Sequence, residues 1–144
     1  ILIVAYHIIT QRTTFGRHIY AVGGNKSAAA LSGVNVNRVY FLVMLNMSFL
    51  AAVAGILFVG RSTSAGPSDG NMWELDAIAA AVIGGTSLSG GRGTVLGTFI
   101  GAFIMSVLTN GLRVMGVQEE WKIVITGVII IAAVYVDILL RKKM

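Results

Sequence analysis

The sequence is built from uncharged runs long enough to cross a lipid bilayer, and no other feature constrains its fold as strongly. Val39 to Gly60 carries no charged residue and would measure roughly 33 Å as a helix. Gly93 to Leu112 is a second such run, and Ile123 to Leu140 a third, broken by Asp137 one turn from its end. Met72 to Gly91 is weaker: Glu74 and Asp76 stand at its start, and the uncharged remainder would cover only about 22 Å. The hydrocarbon core takes about 20 residues of helix. The pattern therefore predicts an all-α, polytopic transmembrane helical bundle with about four complete spans, at 39–60, 72–91, 93–112 and 123–140. Ile1 to Thr10 reads as the end of a truncated first span.

Composition closes off the soluble alternatives. Hydrophobic residues make up 56% and charged ones 12% of the 144 residues, the latter about half the share usual in soluble proteins. The net charge of +5 would prompt a search for a nucleic-acid surface. Here the bases are sparse and fall between apolar runs, as they do where charge sets membrane topology, so no nucleic-acid partner is expected. With no cysteine and only two histidines, disulfides, thiolate chemistry and a metal site are not expected either. The chain opens on Ile1 inside an apolar run without a basic flank or cleavage site, so it is not read as a signal peptide. The expectation is the C-terminal part of a longer protein, closing on a cytoplasmic tail at Arg141-Lys142-Lys143-Met144.

Charge then sets direction. If Gln11 to Arg38 lies in the cytoplasm and all four segments cross, the inside holds Arg12, Arg17, Lys26, Arg38, Arg92, Arg141, Lys142 and Lys143. The outside holds Arg61, Arg113 and Lys122. The inverted arrangement reverses that ratio and violates the positive-inside rule. Trp73 and Trp121 then fall at the outer interface and Tyr40 and Tyr135 at the inner one, as aromatic belts require.

Within the cytoplasmic segment 11–38, Gly23-Gly24 breaks the chain and Asn25 is a good N-cap. Lys26-Ser27-Ala28-Ala29-Ala30-Leu31-Ser32 reads as a short helix, with Gly33 suited to the left-handed position after it. Asn35 or Asn37 can cap the span that follows. A helix of two turns has little stability alone, so it wants a surface to pack on. Its alanines would let it lie close in a partner's groove, with Leu31 as an apolar anchor.

Gly93, Gly97 and Gly101 recur every four residues, a doubled GxxxG stripe that lets backbones approach closely. Such a stripe serves static helix packing or a moving contact that gates a path. Gly84 to Gly93 superficially suggests a phosphate cradle. A P-loop requires Lys and then Ser or Thr after its second glycine, and Gly90 is followed by Gly91-Arg92. A helix that loosens near the inner face before a tight glycine turn fits better; its freed backbone groups are tolerable only against protein or a water-filled cavity.

Among the polar residues inside the spans, Asn46, Ser48, Thr86, Ser87 and Asn110 are the candidates for lining a path. None is charged, which leaves little for an ion pathway or proton relay and suits a path for an uncharged, hydroxyl-rich solute; interhelical hydrogen bonds or helix caps would account for each one singly. Asp137 precedes Arg141 by four residues in the favourable orientation for an ion pair. His7 and His18 read as interface and loop residues. Glu74 and Asp76 either meet an external partner or favour the dipole of the helix they begin. Apart from Glu74 and Asp76 at the start of the 72–91 segment, no two carboxylates share a span, and no HExxH occurs, so catalysis within the membrane is not expected.

The long string from Glu74-Leu75-Asp76-Ala77-Ile78-Ala79-Ala80 through Gly84-Gly85-Thr86-Ser87 to Gly90-Gly91-Arg92-Gly93 resembles the signature of bacterial ABC-importer permeases for monosaccharides, of the ribose and xylose type. Gly16-Arg17-His18-Ile19-Tyr20 to Asn25, with Ala28-Ala29 and Leu31-Ser32-Gly33-Val34, resembles them too. The resemblance runs along nearly the whole chain, at about half the length of such proteins. It implies a dimeric permease core in membrane lipid, two cytoplasmic ATPase subunits and an extracytoplasmic sugar-binding protein. It also implies that the helix bearing Asn25, Lys26, Ser27, Ala28, Ala29, Leu31 and Gly33 is the coupling helix that docks on the ATPase. The permease itself would bind no ATP and no cofactor. The alternative from another class is a membrane-embedded structural or receptor subunit without transport.

Overall fold

In a computed structural model the described residues are mostly helical. The structure describes residues 1–62, 64–67 and 69–142, with backbone only at 119, 136, 137 and 140–142. Among the described residues seven helices follow one another: α1 Leu2–Arg12, α2 Thr14–Gly24, α3 Lys26–Leu31, α4 Val36–Ser62, α5 Trp73–Ile83, α6 Val95–Val114 and α7 Glu119–Lys142. Among the described residues there is no strand. Among the described residues, two helices, α4 and α6, are long and apolar enough to cross a bilayer.

Two segments differ from expectation. The run 72–91 is not one helix: α5 stops at Ile83, and residues 84–94 form turns and bends. Gly85, at φ +85°, supplies the left-handed residue on which a helix end closes. Its N–H donates to the Val82 carbonyl at 2.9 Å, and that of Thr86 to the Ala81 carbonyl, also at 2.9 Å. The second difference is α2, which places His18, read from the sequence as a loop residue, within a helix. Thr13 starts it, its hydroxyl donating to the Ile9 carbonyl at 2.6 Å and accepting from Gly16 N at 3.2 Å. One side chain thus closes α1 and opens α2.

Packing follows the small residues. Gly97 and Gly101 of α6 bring their backbone against Gly84 and Ala80 at the end of α5, so close that a Cβ at either position would collide with a carbonyl oxygen. Gly93, the third member of the predicted stripe, stands before the helix, which Thr94 begins by accepting from Gly97 N at 3.0 Å. Helix α7 covers the other side of α5, where Ile130 and Ile83 pack on buried Ala79, Ala80 and Met105. Helix α1 lies on α6 and is tied to α4 by a short hydrogen bond from the Tyr6 hydroxyl to Asn46 Oδ1. A second apolar cluster joins α2, α3 and the first turns of α4 through Val22, Ala29 and Val39.

Beyond those first turns α4 presents Phe41, Met44, Leu45, Met47, Ile56 and Leu57 outward, all more than half exposed. So large an apolar surface is untenable in water and ordinary where the solvent is lipid or another helix. Connections alternate between the two ends of the bundle. Phe58 near the end of α4 meets Trp73 at the start of α5, and Lys122 of α7 pairs there with Asp76. At the other end the turn after α5 meets the end of α2. The side chains of Asp137 and Arg141, and the last two residues of the basic tail, lie outside those described.

Candidate functional site

The α5–α6 turn and the α2–α3 segment meet to form the candidate site, and each is held by its own local chemistry. Asn25 ends α2 and begins α3, its Oδ1 accepting from Ala28 N at 3.0 Å. At the far end Gly33, at φ +84°, donates to the Ala30 carbonyl at 3.0 Å, and Val34 N to the Ala29 carbonyl at 3.1 Å. Those two bonds satisfy carbonyls that a helix end otherwise leaves unpaired. The short helix is therefore capped at both ends, as the sequence predicts. Its orientation differs from the predicted groove-binding alanine face in one respect. Ala29 is buried against Val22 and Val39 of this same chain, which leaves Ser27, Ala28 and a 91% exposed Leu31 facing out. Lys26, also exposed, sets its ammonium 4.8 Å from the ring centre of Tyr40, within the range of a cation–π contact.

Immediately before Asn25, Gly23 and Gly24 touch Gly90 and Gly91 backbone to backbone. A Cβ on Gly91 would lie 2.7 Å from Gly24 Cα, and one on Gly23 would lie 2.8 Å from Gly91 N. Any side chain at these positions would push the segments apart. The Tyr20 hydroxyl spans the same contact, donating to the Gly93 carbonyl at 2.8 Å. The turn is held internally as well: Ser87 N donates to the Arg92 carbonyl at 3.0 Å and Gly90 N to the Ser87 carbonyl at 3.1 Å. Irregular backbone of this kind survives near membrane depth because its polar groups are paired within protein.

Above the crossing lies a cavity of about 580 Å³ between α1, α2, α6 and the turn. Tyr6, Thr10, Tyr20, Thr86, Ser87, Thr94 and Thr98 bring hydroxyls to a wall that is otherwise mostly apolar. Thr86 and Thr98 approach each other at 3.4 Å between hydroxyl oxygens, and Ser87 is buried. Among the described residues no carboxylate stands in its wall, and Arg92 is the one charged residue there.

Of the five polar residues predicted to line a path, Thr86 and Ser87 come together at this cavity. Asn46 reaches its edge only through Tyr6. Ser48 lines a separate groove on the exposed side of α4 and donates to its own Met44 carbonyl at 3.0 Å. Asn110 is exposed on α6, away from both. Sequence reasoning missed Tyr6, Tyr20, Thr98 and the glycine crossing. The one available signal was the pair of Gly-Gly doublets, at 23–24 and 90–91.

Comparison with known proteins adds relatives of stated activity. Residues 1–134 match the family described as branched-chain amino acid transport system / permease component. The chain is 47% identical over 137 residues to the ribose import permease protein of Escherichia coli (strain K12), covering 95% of this chain and 43% of that protein. It is 46% identical over 136 residues to the ribose import permease protein of Bacillus subtilis (strain 168), with 94% and 41% covered. To the xylose transport system permease protein of Escherichia coli (strain K12) it is 45% identical over 143 residues, covering 99% of this chain and 36% of that one. The chain thus spans less than half the length of each of these relatives. No solved structure matches it.

Proposed function

Because the chain belongs to the branched-chain amino acid transport system / permease component family, we propose that it forms part of the membrane permease of an ABC importer for a monosaccharide. A permease of this kind is not an enzyme; ATP is hydrolysed on a separate subunit. The substrate class follows from the relatives, which are ribose and xylose permeases. The mostly uncharged, hydroxyl-bearing cavity suits such a solute.

One observation carries the mechanism: the capped helix α3 and the floor of the cavity are joined through backbone at the Gly23-Gly24 and Gly90-Gly91 crossing. An ATPase docked on Ser27, Ala28 and Leu31, with Lys26 beside them, would move α3 as a unit between Asn25 and Gly33. With no side chain between the two segments, that displacement passes directly to the turn bearing Thr86 and Ser87. The path for sugar then opens or closes at that turn. In this account residues 11–38 are cytoplasmic, the chain crosses the membrane several times, and its C-terminus is cytoplasmic. An extracytoplasmic sugar-binding protein delivers substrate to the opposite end. A second permease copy completes the pathway; Ser48, Asn110 and the exposed side of α4 are available to it and to lipid. Gly97 and Gly101 keep α5 and α6 in close register while the turn moves.

The test is reconstitution of the complete permease in liposomes with its ATPase and binding protein, followed by uptake of radiolabelled D-ribose and D-xylose. At least one sugar should accumulate, and accumulation should cease when ATP, the ATPase or the binding protein is withheld. Failure of both sugars to enter under complete conditions would contradict the reading.

A further inference from the structure

A second cavity, of about 400 Å³, opens at the end of the bundle opposite the glycine crossing. Its walls come from the end of α4, the turn before α5, and the facing ends of α6 and α7. The volume is in the range of small-molecule sites. Its chemistry is unlike that of the larger cavity. Asp69, Asn71, Trp73, Asp76, Arg113 and Lys122 all contribute to the wall. Asp76 Oδ2 and Lys122 Nζ pair at 3.2 Å with side chains 29% and 20% exposed. Asp69 Oδ2 accepts from Gly66 N at 2.7 Å, which fixes that carboxylate at the rim. The Trp73 ring stands edge-on to Phe58 at 4.6 Å between centroids, which braces the indole.

The observation that points to a guest is Thr126. It lies on α7 one turn beyond Lys122, is 2% exposed and forms part of the cavity wall. Among the described residues its hydroxyl has no hydrogen-bond partner. A helical threonine commonly bonds a carbonyl one turn back and divides between two rotamers; here the hydroxyl oxygen is closed off from solvent, so it meets a guest only by turning about χ1 toward the cavity. Leaving such a group unpaired is costly, and a guest with hydroxyls would pair it.

The wall's charges balance, Asp69 and Asp76 against Arg113 and Lys122, which disfavours an ion of either sign. No group of three acidic or histidine side chains among the described residues could hold a metal. Acceptors and donors around an aromatic ring suit a neutral polyol, whose hydroxyls both donate and accept.

The geometry points to a sugar-binding site in this second cavity, lined by Trp73, Asp76, Arg113 and Thr126, through which the solute passes before it reaches the larger cavity. The choice of a sugar as occupant rests on the transport reading above; the mixed polar wall and the orphan hydroxyl do not.

The test uses the complete permease with its ATPase in lipid nanodiscs, without binding protein, carrying Asn71→Cys as the single cysteine. The rate of labelling by a membrane-impermeant maleimide is measured with and without millimolar D-ribose or D-xylose. One of the sugars should slow labelling several-fold, and glycine betaine, a zwitterion without hydroxyls, should not. Thr126→Val should abolish the protection without altering the sugar-free rate, and Thr126→Ser should keep it. Labelling indifferent to both sugars overturns the site, as does equal protection in Thr126→Val or by betaine. The Asn71→Cys protein is also assayed for uptake in the complete system. Intact uptake without protection refutes this site and spares the transport reading. Protection without uptake of either sugar does the reverse.

Discussion

A single methyl group at Gly91 would meet Gly24 Cα at 2.7 Å, in a residue whose φ of +75° already disfavours any side chain. Gly91→Ala is therefore expected to force the α5–α6 turn off the α2–α3 segment. Sugar uptake by the complete transporter should fall to background while the protein still inserts. Gly127→Ala serves as the comparison, because nothing lies within 4 Å of a Cβ there; its uptake should match that of the unaltered protein. Equal uptake by both variants would show that the crossing transmits nothing. Residues such as Asn25 and Gly33 are legible in the sequence because a cap is decided by a few neighbours along the chain. Gly97 and Gly101 are legible because a four-residue spacing puts them on one side of a helix. Gly23 and Gly91 meet across most of the fold, and no periodicity connects them. The orphan hydroxyl of Thr126 is equally invisible, since its burial depends on α5, and so does the pairing of Asp76 with Lys122.

At the scale of elements, α3 is held by little except its caps and one buried alanine. Removing the Asn25 cap with Asn25→Ala should cost about 1 kcal/mol, enough to loosen the helix without breaking it. Ala29→Pro removes the bond from Ala29 N to the Asn25 carbonyl and introduces a ring clash, at about 3 kcal/mol or more. Limited proteolysis of the complete permease should then cut within residues 25–33 markedly faster in Ala29→Pro than in Asn25→Ala. Indistinguishable cleavage of these two and the unaltered protein would mean that α3 is a loop tolerating helical shape. Long elements are readable from their uncharged runs, and α4 and α6 lie within a few residues of where charge places them. The short ones are not. Helix α2 depends on Thr13 serving two helices at once, and α5 is shortened because Gly84-Gly85 offers a closure that outcompetes further helix.

For the whole molecule, the alternation of connections between the bundle's two ends gives a topology that labelling can check. Single cysteines at Ser27 and Gly116 in the complete protein should react with impermeant reagents from opposite sides, Ser27→Cys only from the cytoplasm. Reaction of both from one side would remove the proposed orientation. The central claim is that α3 receives the ATPase and that the crossing carries its movement to the cavity. Leu31→Asp addresses it most directly, because Leu31 is 91% exposed and its replacement disturbs no contact inside this chain's own core. The decisive measurement is binding-protein-stimulated ATP hydrolysis beside sugar uptake, on the reconstituted complex carrying Leu31→Asp. Both are expected to fall to background while permease insertion is unchanged. Hydrolysis and uptake at the level of the unaltered complex would contradict it.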